Sequence, residues 1–170
     1  MLASLSQDLS QPEYIHVLIN PLPVYGLTMG IIGLIIALLQ RSRSAQVATL
    51  ALILLSGAIA WPVVHYGEAG YDRVLAMSDE QGEAWLKAHE HRADELAWSF
   101  YVLAGLAAVA ILAPLKWPKT ATGLALVTLV LSFGVLGIGG YIAQAGGKIR
   151  HREFRNEPAP PVPVEKESGY

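Results

Sequence analysis

Four long stretches without a charged side chain run through this chain, over residues 17–40, 45–64, 96–115 and 120–147. An uncharged apolar run of about 18 residues or more is long enough to cross the roughly 30 Å hydrocarbon layer as a helix. In lipid the backbone is satisfied only by helices or by a closed barrel. The runs show no alternation of apolar and polar residues, so a barrel is excluded and helices remain. The chain therefore reads as an all-α integral membrane protein, a bundle of four transmembrane helices running up-down-up-down. Its membrane domain is expected over residues 15–152, between an N-terminal segment 1–14 and a Pro-rich tail 153–170. In 170 residues no second domain fits in what remains.

There is no cysteine. Disulfides, thiolate metal ligands, iron–sulfur clusters and covalently attached haem are thereby excluded. The net charge of −2 argues against a nucleic-acid partner. The segment before the first run carries no Lys or Arg, and that run is too long for a secretory signal, so it is expected to be retained. Arg41, Arg43, Lys116 and Lys119 crowd the two short connections, which places those connections in the cytoplasm. The expected location is a bacterial inner membrane, with both termini on the periplasmic side.

Along the chain, Pro21 and Pro23 suit the first turns of helix 1, where a missing N–H costs least. A loop is expected over 66–77. Ser78 with Gln81 three residues later reads as a capping box opening helix 3. That helix is expected to run from Asp79 to Leu115, its first four turns standing out of the bilayer. Helix 4 is rich in glycine, at Gly134, Gly137, Gly139, Gly140, Gly146 and Gly147, which predicts close helix packing. The polar, Pro-rich stretch 156–170 cannot bury a core of its own and is expected to contact other subunits of a membrane complex.

All five histidines fall on one side of such a bundle: His16, His65, His89, His91 and His151. Imidazoles gathered at one end of a bundle are where haem or a metal ion is held. The pairings this topology allows for an iron with two axial ligands are His16 with His89 or His91, and His65 with His151. On a helix His89 and His91 lie roughly 200° apart, so only one of them serves a given iron. His89 shares a face with Trp85 and Leu86, His91 with Asp94 and Glu95. Zinc or copper held with help from Glu68, Asp72, Glu90 or Asp94 is the lesser reading, because no compact ligand spacing occurs. No catalytic nucleophile arrangement and no phosphate-binding loop is present.

The stretch His16-Val17-Leu18-Ile19-Asn20-Pro21-Leu22-Pro23 is similar to the His-Pro-x-x-Val-His-Phe-Pro opening of a bacterial four-helix membrane family, domain of unknown function 2231. Pro21 stands where that family has its second histidine. Ser56-Gly57 through Gly67 resembles the family's glycine-containing end of helix 2. Gly146-Gly147-Lys148-Ile149-Arg150-His151 resembles its closing Gly-Gly-x-Leu-x-Tyr, and His89 or His91 its histidine before helix 3. The resemblance spans roughly residues 10–152. It implies association with redox domains and a layout like the b-type cytochromes.

Two functions follow as expectations. The first is a haem-b-binding or redox-associated subunit of a membrane electron-transfer complex, with iron held by His16 and His89 or His91. The second is a cofactor-free structural subunit of a larger membrane assembly. Neither assigns the chain an enzymatic reaction of its own.

Overall fold

The computed structural model describes residues 6–162, and every regular element in that range is helical. From Pro12 onward the α-helices follow in order: α1 Pro12–Ile19, α2 Pro21–Leu39, α3 Arg43–Ala76, α4 Glu80–Leu96, α5 Trp98–Lys116 and α6 Ala121–Arg150. α1 and α2 are almost continuous, as are α4 and α5, so four helices long and apolar enough to cross a membrane result. They form a helical bundle in which α2 packs on α3, α3 on α5, α5 and α4 on α6, and α6 back on α2. Leu27, Leu34, Leu50, Ile53, Leu103 and Ala107 fill the centre of one half. Large apolar side chains such as Val130, Phe133, Leu112 and Ile36 point outward, an arrangement suited to lipid rather than water.

Several expectations need correction. The loop expected over 66–77 is helix to Ala76, so α3 has 34 residues and a length of about 50 Å. Its extension is held by partners distant in sequence. α1 presses its backbone at Glu13 against Gly70, where a Cβ would come within 2.9 Å, and Arg73 pairs with Glu13 at 2.8 Å. Tyr71, Val74 and Leu75 pack against a second cluster around Trp85, Leu86 and Ile149. α1 itself, Pro12–Ile19, was not anticipated. The cap of α4 is Asp79 and not Ser78: Gly82 N–H donates to Asp79 Oδ1 at 2.8 Å, while the Ser78 hydroxyl donates to Val74 O. The six glycines of α6 do not all pack closely. Gly139 abuts Phe100 and Gly146 abuts His89, whereas Cβ atoms at Gly134, Gly137 and Gly140 would meet nothing within 4 Å.

The described part of the tail lies on its own chain, with Ala159 and Val162 packed on the Trp85 cluster and Lys148 bonded to Glu157 at 3.1 Å. Residues 163–170 of the tail and 1–5 of the N-terminal segment lie outside the described residues. Arg155 anchors the start of the tail. It donates to both oxygens of Asp79 at 2.8 and 2.9 Å and to the Lys148 and Ile149 carbonyls left open at the end of α6. One guanidinium thus ties the N-cap of α4 to the C-terminus of α6. Its hydrogen bond, with that of the Gly82 N–H, holds the Asp79 carboxyl below the ordinary carboxylate range. A carboxyl lowered by folding contributes stability above its unfolded value, about 3.9, and loses it as pH falls through the folded value. Asp79→Asn is therefore expected to unfold at a lower temperature than the wild type at pH 7. The gap should narrow below about pH 4, as a pH series of thermal melts will show.

Pro114 removes one hydrogen bond from α5, because it has no N–H to give the Ala110 carbonyl four residues back. Arg43, from the other short connection at the same end, supplies the missing donor, at 3.0 Å to Ala110 O and 3.3 Å to Ile111 O. Arg43→Leu leaves those carbonyls open and is expected to lower stability by about 2 kcal/mol, measurable by denaturation in mild detergent.

Candidate functional site

The chain's polar chemistry converges on a cavity of about 430 Å³ between α1, α3, α4 and α6. His16 from α1 and His89 from α4 both line it. Their ring centroids are 6.2 Å apart, and the planes cross at 78°.

Each ring is fixed in the same way. His16 Nδ1 lies 2.8 Å from the Val63 carbonyl, and His89 Nδ1 lies 3.0 Å from the Ile142 carbonyl. A carbonyl only accepts, so each Nδ1 carries the proton and each neutral ring keeps its lone pair on Nε2. Four residues beyond each acceptor, where a helix side chain would otherwise overlie it, the sequence has glycine: Gly67 after Val63 and Gly146 after Ile142. A Cβ on Gly67 would stand 2.9 Å from His16 Nδ1, and one on Gly146 would stand 3.1 Å from His89 Cε1. The missing side chains let each imidazole lie against the neighbouring helix. An imidazole whose Nδ1–H is held by a carbonyl, leaving Nε2 open, has the orientation of a metal ligand.

The other histidines are placed differently. His91 turns away, with its Nε2 3.6 Å from Glu95. His65 is exposed and stacks on Trp61, centroids 5.5 Å apart and planes within 3°. His151 is exposed, bonded to Glu153 at 2.9 Å and lying against Phe154. The structure thus brings His16 and His89 together and does not bring His65 to His151. Among the described residues no group of three or more His, Asp or Glu is placed to hold a metal ion. Glu68, Glu90 and Asp94 line the cavity without forming such a group with the histidines.

The two-histidine arrangement suits a metal that arrives with most of its ligands already in place. His16 and His89 are the residues that would hold it, their centroids 6.2 Å apart and each Nε2 left open. The cavity falls within the usual size of ligand pockets, about 300–1,000 Å³. Its walls include Val24, Leu86, Ala97 and Phe100, and Arg150 is the one Lys or Arg lining it among the described residues.

Gly67 and Gly146 are the site residues that sequence reasoning missed. Both lie in segments that carry the family resemblance, and nothing in the sequence alone ties them to the two carbonyls. Below the site, Arg92 is buried and donates to Tyr141 O at 2.7 Å and to Gln144 at 3.1 Å, and its guanidinium lies 3.8 Å from the Tyr141 ring centre. It locks α4 against α6 one turn from His89. No protein-family model, curated protein or solved structure matches the chain.

Proposed function

We propose that this chain is a haem-b-binding subunit of a membrane electron-transfer complex, with His16 and His89 as the residues that would hold the haem. The observation that carries this is the matched pair of imidazoles, each held through Nδ1 by a backbone carbonyl, with centroids only 6.2 Å apart. Bound haem would supply one-electron chemistry. The chain's part is to orient both rings through Val63 and Ile142 and to keep water from the cavity with Phe100 and Leu86. The helices would run up-down-up-down across a bacterial inner membrane, with the histidine end and both termini on the periplasmic side. No reaction is assigned to the chain alone.

The ferric protein tests the ligation directly by electron paramagnetic resonance. A low-spin signal from two nitrogen ligands is the expected result. A high-spin signal in the wild type contradicts paired ligation by His16 and His89.

One observation favours a second reading, a cofactor-free subunit of a membrane assembly. Gly134, Gly137 and Gly140 leave an open small-residue surface on α6, the kind of surface onto which another membrane helix closes. Purified chain that carries no haem, and whose Gly137→Leu variant no longer copurifies with other membrane subunits, is the outcome this reading requires.

A further inference from the structure

We propose that the end of the bundle opposite the histidines binds the phosphate of an anionic membrane lipid through Arg41 and Arg43. The proposal rests on the four helices being membrane spans and is independent of any haem.

The two short connections meet at a pocket of about 290 Å³ lined by Arg41, Arg43, Gln46, Pro114, Pro118 and Thr122. The end of α2 there is a Schellman turn, with Ser42 N–H donating to Ala37 O and Arg41 N–H to Leu38 O. In that turn Arg41 takes a left-handed backbone, with φ of 50°. Glycine is the usual occupant of this position, and an L side chain there is strained. An arginine held where the backbone favours glycine points to a use for its side chain.

The charge around it is uncompensated. Arg41, Arg43, Lys116 and Lys119 share this end, and no Asp or Glu occurs between residues 14 and 67 or between 96 and 152. Arg43 is engaged by carbonyl oxygens, which leave its charge in place. The Arg41 guanidinium makes no hydrogen bond or ion pair among the described residues, and the residue is exposed. The pocket also lies at the N-terminus of α6, whose dipole adds positive potential. A guanidinium fork in such a field is matched to phosphate oxygens.

A lipid, and not free phosphate, is the source that the surroundings favour. Leu39 and Leu115, at the two helix ends beside the pocket, are 80% and 81% exposed, and Trp117 is 57% exposed. Acyl chains beside the headgroup would cover these side chains, and Trp is the residue that settles at this depth.

Arg41→Gly separates the backbone effect from the binding effect, because the two move in opposite directions. Thermal unfolding of the full chain is followed in neutral detergent, alone and with phosphatidylglycerol, phosphatidylcholine or inorganic phosphate. Phosphatidylglycerol is expected to raise the wild-type midpoint, the other two additives much less. Arg41→Gly is expected to melt higher than the wild type in detergent alone, yet to bind phosphatidylglycerol about tenfold more weakly in a lipid titration. Equal stabilisation by phosphatidylcholine, or full retention of phosphatidylglycerol binding by Arg41→Gly, overturns the proposal. Equal stabilisation by inorganic phosphate overturns the lipid as its source. A chain that stays monomeric in buffer without detergent fails the membrane reading instead.

Discussion

Replacing His16 by alanine is expected to abolish the low-spin haem spectrum of the purified chain, and replacing His89 should do the same. Both rings would hold the haem, so losing either would leave it with a single protein ligand. Replacing His65, His91 or His151 should leave the spectrum intact, because these rings stack on Trp61, face Glu95 or bond Glu153 outside the cavity. Gly67→Ala and Gly146→Ala refine the result. Each keeps both histidines but places a methyl group 2.9 Å or 3.1 Å from one ring, so the ring must tilt from its carbonyl. Loss of such an orienting contact typically costs about 10–100-fold in metal affinity, readable as haem retention during dialysis against apomyoglobin. Equal loss of haem in the His91 and His89 variants would point to a different ligand set.

Gly57→Val is expected to be the most damaging single change away from the site. A Cβ at Gly57 would stand 2.5 Å from the Phe100 carbonyl and 2.9 Å from the Ala104 Cβ. α3 and α5 therefore touch backbone to backbone there, and no side-chain rotation relieves the clash. Overpacking at such a point costs about 3 kcal/mol, and the two helices must separate beside Phe100, which also lines the cavity. A large fall in unfolding midpoint together with lost haem is expected. Gly134→Ala is the control: its Cβ enters open space, and alanine is the better helix former by about 1 kcal/mol, so its midpoint should not fall. Both are measured by thermal denaturation in the same detergent.

The four apolar helices were legible because apolar length is a local property, countable residue by residue. The extension of α3 to Ala76 was not. Its sequence, Tyr-Gly-Glu-Ala-Gly-Tyr, reads as a turn, and only the backbone of α1 against Gly70 and the Arg73–Glu13 pair make it helix. The α4 cap fell on Asp79 because Arg155, 76 residues away, adds a second claim on that carboxylate. For the site, the sequence narrowed five histidines to a few pairings but left His89 and His91 open. The choice depends on the register of α4 against α6, set by Arg92 on the Tyr141 carbonyl and by the His89 bond to Ile142, 53 positions along the chain. The link between each carbonyl and the glycine four residues on has meaning only once an imidazole is known to lie across them.

The reduced-minus-oxidised absorption spectrum of the purified wild-type chain, with haem quantified as the pyridine haemochrome, tests the central claim most directly. One b-type haem per chain is the result expected if His16 and His89 share an iron. A chain that is folded, carries no haem and takes up none when haem is added would contradict it.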